Sequence, residues 1–261
     1  MTPPTISLVI PSYNRERFVA AAVQSVLAQS RTDFELIVWD DGSTDGTVAA
    51  ARAAAGEDPR VRVVAAEHRG IAPSLNAAIR QTSGQYVGWV DSDDALAPAA
   101  LAETAAVLNA SPTVGMVYTS YVVMNDAGQM RGPGTRCRIP YSPQRLLVDF
   151  MTFHFRLIRR SVFDQVGGVD ETMPAAEDYD LCLRLSEVTE IRHVDKPLYA
   201  YRVHDDSESQ AGRVRQILGA QEAINRALRR RRMDATHELR LQIAGKFTLR
   251  EKATNGSRAP A

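Results

Sequence analysis

The chain has 261 residues, 44% of them apolar, with 31 Lys and Arg against 31 Asp and Glu. That is enough for one large domain or one domain with an appendage, and no apolar run approaches the length that spans a bilayer. The two cysteines, Cys137 and Cys182, lack metal-like spacing, and Met1–Pro4 lacks the basic and apolar regions of a secretion signal, so a reduced, cytoplasmic chain is expected. The charge is uneven. Residues 212–261 carry 12 Lys and Arg against 4 Asp and Glu, and the residues before them carry 19 against 27. An acidic body, 1–211, is therefore expected to precede a basic helical extension, 212–261, whose end reads as disordered.

Ile6–Ile10 reads as a buried strand, closed by Pro11-Ser12-Tyr13-Asn14. Phe18, Val19, Ala22, Val23, Val26 and Leu27 then share one helical face. Glu35–Trp39 is a second strand, ending in Asp40-Asp41-Gly42-Ser43-Thr44-Asp45, where Ser43, Thr44 or Asp45 caps a helix to about Ala55. Val61–Ala65 is a third strand. A helix with Leu75, Ala78 and Ile79 comes next, then a fourth strand, Tyr86–Val90. Strand–helix alternation of this kind predicts an α/β fold with a mostly parallel sheet flanked by helices.

The fourth strand stops at Asp91-Ser92-Asp93-Asp94. Ligands bind at the carboxyl rim of such sheets. Three carboxylates in four residues repel one another and call for a compensating cation. Mg²⁺ or Mn²⁺, completed by phosphate oxygens, suits that chemistry. A solvated acidic turn is the alternative, with Asp94 capping the next turn. Beyond it lie a helix from about Pro98 to Asn109 and a strand from Gly115 to Val123. An irregular stretch, Gly128–Pro143, reads as a loop or short hairpin, of a length more typical of a lid or binding loop than of filler. A helix near Pro143–Asp149, a strand around Phe153–Ile158 and a short helix from Arg160 come next. Glu177 and Asp178 head a further helix, and Leu198–Arg202 is the last strand. Val214, Ile217, Leu218, Gln221, Ile224 and Leu228 mark one face of a helix ending at Arg229–Arg232. Leu239, Ile243 and Phe247 suggest another.

No Gly-x-Gly-x-x-Gly, phosphate-binding Gly-x-x-x-x-Gly-Lys or Gly-x-Ser-x-Gly occurs, which disfavours dinucleotide, P-loop and serine-hydrolase chemistry. Taken in order, Ile6–Asn14, Asp40–Asp45, Val90–Asp94 and Glu177-Asp178 resemble the motifs of the glycosyltransferase family 2 enzymes. These are inverting nucleotide-sugar transferases of the GT-A fold, and the match covers about residues 5 to 205.

The resemblance implies that Pro11 and Tyr13 line the base pocket. It makes Asp41 the acceptor of a base N–H, otherwise a helix cap. Asp91 lies at the ribose or a metal-bound water, Asp93 holds a divalent metal, and Asp178 is the general base, with Glu177 its rival. It places His204 near the metal, and Arg202 near the metal or diphosphate. Arg69 is a candidate phosphate contact and His154 an acceptor-side residue. The implied partners are a nucleotide-sugar donor, UDP-linked, and a hydroxyl-bearing glycan or lipid-linked acceptor. No aromatic interleaving supports nucleic-acid binding. The basic extension either packs on the acidic body or touches the inner face of a membrane. The rival readings are a non-catalytic nucleotide-sugar binder and a metal-dependent phosphohydrolase.

Overall fold

In the computed structural model, residues 4–204 and 212–243 are described. Among them, nine strands form one sheet. β1 (Ile6–Ser12), β2 (Phe34–Asp40), β3 (Val61–Ala65) and β4 (Tyr86–Trp89) alternate with α1 (Val19–Leu27), α2 (Thr47–Ala55) and α3 (Ile71–Arg80). β5 (Ala95–Leu96), α4 (Ala100–Ala110), β6 (Val114–Asn125) and β7 (Met130–Pro133) come after them. β8 (Arg156–Arg159), α5 (Arg160–Gln165), α6 (Glu177–Leu185), β9 (Glu190–Val203) and α7 (Arg213–Arg230) complete the order.

The strand order is β3-β2-β1-β4-β8-β6-β9-β5, with β7 paired to β6. β1 is parallel to β2 and β4, and β2 to β3. Every residue of β1 and β4 is buried. Helices covering both faces explain why these strands read as continuous apolar runs rather than alternating ones. Beyond β4 the sheet becomes mixed. β8 runs antiparallel to β4 and β6, β5 antiparallel to β9, and β6 parallel to β9. The carboxyl ends of β1, β2 and β4 share one rim, and the mixed half folds back onto it. The β4–β8 approach needs Gly88, where a Cβ would meet the Arg156 carbonyl oxygen at 2.8 Å.

Three expected elements differ. The helix near 143–149 is only a 3-10 turn, Arg145–Leu147. The last strand extends back to Glu190, because its polar, half-exposed first half carries no apolar run to read. Residues 233–243 form no helix. Leu239 packs partly against the core, but Leu241 and Ile243 are exposed, so no continuous apolar face is buried to hold one. Phe247 and the end of the chain lie outside the described residues.

α7 packs on the body through small residues. Ala223 and Ala227 are fully buried, and a Cβ on Gly219 would meet the Ala175 carbonyl oxygen at 2.5 Å. Its arginines pair with acids. Arg230 Nε donates to Glu187 at 2.8 Å and Arg231 Nε at 3.1 Å, while Arg226 Nη1 reaches Asp170 at 2.8 Å and Arg229 stands 3.5 Å from Glu222. Gly219→Ala should therefore cost about 1–3 kcal/mol through overpacking against backbone. Urea unfolding of the two forms measures it, and equal midpoints would contradict the close α7–loop contact.

Candidate active site

The rim is built from the loops after β1, β2 and β4, closed by the ends of β8, α6 and β9. The first two loops are tied together. Asn14 N donates to Ser43 Oγ at 2.9 Å, Thr44 N to Asn14 Oδ1 at 2.9 Å, and Arg15 N to Thr47 Oγ1 at 2.7 Å. Asn14 takes a positive φ of 52° to make this turn, a conformation asparagine tolerates. Pro11 is buried within β1. Tyr13 emerges 43% exposed and stacks on His68, ring centroids 4.3 Å apart.

Asp41 lies beneath, 4% exposed. Its Oδ1 accepts from Arg69 N at 2.8 Å and Ser74 Oγ at 2.7 Å, and its Oδ2 from Gly70 N at 2.9 Å. His68 Nδ1 stands 2.9 Å from the same Oδ2. Asp41 thus caps α3, not the helix after Gly42; Asp45 Oδ1 takes Thr47 N there, at 3.0 Å. Arg69 contributes its backbone N–H to this cradle, and the residue itself is exposed.

The acidic cluster at the end of β4 is held from three sides. Asp93 Oδ2 lies 2.9 Å from His204 Nε2 and 3.5 Å from Arg15 Nε. Asp91 Oδ2 lies 3.4 Å from His154 Nε2, and Asp91 N donates to Tyr199 Oη at 3.2 Å. Asp94 is buried and accepts Arg202 N from β9 at 2.7 Å. It therefore fastens two strands rather than capping the next turn. The Arg202 guanidinium donates to three backbone carbonyls, Asp93 at 2.6 Å, Asp126 at 2.9 Å and Asn125 at 3.3 Å, and lies over Phe18. Those contacts turn the guanidinium toward the chain's own carbonyls.

Glu177 and Asp178 open α6 after Ala176, whose left-handed φ of 58° sets the turn. Asp178 Oδ2 accepts Arg156 Nη2 at 2.8 Å. Both Asp178 and Asp91 keep more than a quarter of their side chains open, 27% and 29%.

The sequence motifs thus meet at one rim: Asp91, Asp93, Asp94, His154, His204 and Asp178 converge, with Tyr13 and Asp41 beside them. Sequence reasoning missed Arg15, His68, Tyr199 and Arg156. A lone arginine inside the apolar run Phe153–Ile158 is a signal for the last of these, because a buried charge needs a partner.

Burial pushes Asp91 up to about 7, and the neighbouring Asp93 charge adds to it. Asp94 is raised well above the carboxylate range, first by burial and then by Asp91 and Asp93. Burial, with the Arg156 and Arg136 charges, holds His154 well below its usual value, so it meets Asp91 as a neutral imidazole. An acid whose folded pKa exceeds its unfolded value takes up a proton on folding, so stability falls as pH rises between the two. Asp91→Asn removes that cost. Its melting temperature should exceed that of the wild type above about pH 7, and the difference should vanish below about pH 4. Melting curves across that range test it, and a pH-independent difference would refute it.

The profile of glycosyl transferase family 2 matches residues 7–167, more than half of the chain. An Escherichia coli chondroitin synthase is 32% identical over 206 residues, 79% of this chain and 30% of that protein. The chain spans 30% or less of the length of the first curated relatives it matches. Two solved structures share its architecture. S. aureus TarS 1-349 in complex with UDP superposes with a TM-score of 0.68 at 21% identity, covering 86% of this chain and 65% of that one. The Pyrobaculum calidifontis mannosyltransferase PcManGT, in complex with GDP-Man and Mn²⁺, gives 0.69 at 24%, covering 88% and 65%. The fold is that of the GT-A glycosyltransferases, and the chain belongs to glycosyltransferase family 2.

Proposed function

We propose that this chain is a metal-dependent inverting glycosyltransferase. It moves a hexose or N-acetylhexosamine from a UDP-linked donor to a hydroxyl of a glycan or lipid-linked acceptor in polysaccharide assembly. The observation that carries this reading is the convergence, at one rim, of the Asp93–His204 pair and the partly open Asp178 carboxylate on Arg156. The relative named chondroitin synthase and the neighbour in complex with UDP support the donor class and the setting.

The metal fits the residues present. Asp93 and His204 would hold it, a hard carboxylate with an imidazole, both acceptable to Mn²⁺. Among the described residues no group of three or more His, Cys, Asp or Glu side chains is placed to hold an ion. Two protein ligands leave room for phosphate oxygens and water. Burial raises Asp91 first and the neighbouring Asp93 charge adds to it, and a cation beside the pair would relieve that second contribution. A divalent ion, when bound, neutralises charge on the departing diphosphate.

The remaining work falls to the chain's own groups. Tyr13 offers a ring face to the base. Asp178 takes the proton from the acceptor hydroxyl as that oxygen attacks the anomeric carbon. A single carboxylate base with attack opposite the leaving group inverts the anomeric centre. Inverting transfer needs no covalent sugar–enzyme species, and no second carboxylate is assigned to that task.

Two experiments test the reading. Melting curves with UDP, GDP, TDP and CDP, each with Mn²⁺ and with chelator, should show stabilisation by UDP that requires Mn²⁺; a ligand at a hundredfold over its Kd contributes about 2.7 kcal/mol. Stabilisation by GDP instead would move the donor class, and none by any nucleotide would sink the proposal. Asp178→Asn should keep the Mn²⁺–UDP stabilisation and lose about 100-fold or more in transfer. Transfer at the wild-type rate would remove Asp178 from the role of base.

A further inference from the structure

Arg156 opens β8 inside the apolar run Phe153–Ile158, and only 2% of its side chain is exposed. Three contacts fix it. Nε donates to the Phe153 carbonyl oxygen at 2.5 Å, Nη2 donates to Asp178 Oδ2 at 2.8 Å, and the guanidinium lies 5.3 Å and 5.7 Å from the ring centres of Phe150 and Trp89. Nη1 is buried and meets no acceptor among the described residues.

Stability does not explain this arrangement. Buried ion pairs are often no better than well-packed apolar side chains of the same size, and a buried donor left unmet is costly. The backbone nevertheless accommodates it. Gly88, in the centre of a buried strand, is the residue that lets the Arg156 backbone come close, since a Cβ there would stand 2.8 Å from the Arg156 carbonyl oxygen. Glycine in a strand interior weakens the strand and marks such an approach.

The two ends of the pair also differ. Arg156 is sealed off, whereas 27% of the Asp178 side chain faces the open rim. Among the described residues only Oδ2 of that carboxylate is engaged. Arginine keeps its charge and presents a rigid fork, so it fixes direction as well as distance.

Resting on the reading of Asp178 as the base, we infer that Arg156 is its positioning residue. It grips Oδ2 from the dry side and leaves Oδ1 aimed at the acceptor hydroxyl. Lysine at this position would keep the charge and lose the orienting fork. Arg156 touches neither donor nor acceptor in this role, so it governs turnover and not donor affinity.

The test is steady-state release of UDP from UDP-N-acetylglucosamine and UDP-glucose, and of GDP from GDP-mannose, with water or glycan as acceptor. It uses the whole chain as wild type, Arg156→Lys and Arg156→Ala, the last with and without millimolar guanidinium. Arg156→Lys should lose about 100-fold in kcat, the scale of a one-ångström misplacement, with donor KM and Mn²⁺–UDP affinity within about threefold of wild type. Guanidinium should restore about tenfold of the loss in Arg156→Ala by refilling the sealed site. Wild-type kcat in Arg156→Lys overturns the inference. So does a loss in which nucleotide affinity and melting temperature fall together with kcat, which marks a structural role. Where Arg156→Ala does not fold, the kcat-against-KM split of Arg156→Lys decides alone. A wild-type chain that binds no nucleotide and turns over no donor overturns the transferase reading instead, and with it the base that Arg156 is inferred to orient.

Discussion

Negative charge at the carboxyl end of β4 is the constraint on which the site depends. Asp91, Asp93 and Asp94 come after one buried strand within four residues, and Asp178 joins them through Arg156. Like charges held this close must be paired, protonated or met by a cation from outside. All three answers bear on this rim. Arg15 and His204 stand on Asp93, Asp94 and Asp91 are driven toward their neutral forms, and the remainder is a site that favours a cation. Compensation arrives from β8, which runs back along β4 with residues 154–156 at its start, and from β9, which is parallel to β6 and has residues 199–204 at its end, beside the turn of 91–94.

Arg202 illustrates how such a rim is made rigid. Its backbone N–H is taken by Asp94 and its guanidinium by the carbonyls of Asp93, Asn125 and Asp126. One residue therefore ties β9, the acidic turn and the β6–β7 hairpin. A guanidinium with five donors suits that bracing task better than any neutral side chain. His204, two residues on, is left as the imidazole facing Asp93, and its ring packs on Phe18. Arg202 and His204, neighbours at one strand end, thus hold different parts of the acidic turn: the Asp93 carbonyl and the Asp93 carboxylate. The basic character of α7 resolves in a comparable way: Arg226, Arg229, Arg230 and Arg231 lie against Asp170, Glu222 and Glu187. Docking them on an anionic surface would first have to release those pairs, so the packing of α7 on the acidic body is the better supported use of the run.

The parallel half of the fold was legible because its signals are local. Apolar runs bounded by Pro11, by Asp40-Asp41-Gly42 and by Asp91 mark where β1, β2 and β4 end, and strand ends in a parallel sheet face one rim. The mixed half was not. β9 begins at Glu190 among polar residues, and its pairing with β6 and β5 is a long-range event with no short-range mark. The candidate acids were legible for the same reason as the strands, since they terminate apolar runs. Their partners come from afar: Tyr199 reaches Asp91 and Arg202 reaches Asp94 across 108 positions. The backbone contacts of Arg202 were not legible, because an arginine near a histidine at a strand end carries no mark of which carbonyls it will meet. Leu239 and Ile243 misled because spacing alone does not bury a face.

The base side of the rim rests on a count of lone pairs. A carboxylate offers about four acceptor positions, and Asp41 meets Arg69 N, Ser74 Oγ, Gly70 N and the His68 ring. Ser74 lies in the first turns of α3, and Arg69 and Gly70 lead into it. The fourth partner sits on a side chain that is 56% exposed and lies against Tyr13, ring over ring. If Tyr13 and Asp41 hold a nucleobase as proposed, that base takes the position of the His68 ring, and the loop beneath does not have to be built as it binds. Asn14, Ser43, Thr44 and Thr47 already hold that floor in place. The ordering cost that usually erodes affinity is reduced at this end of the site to the displacement of one imidazole.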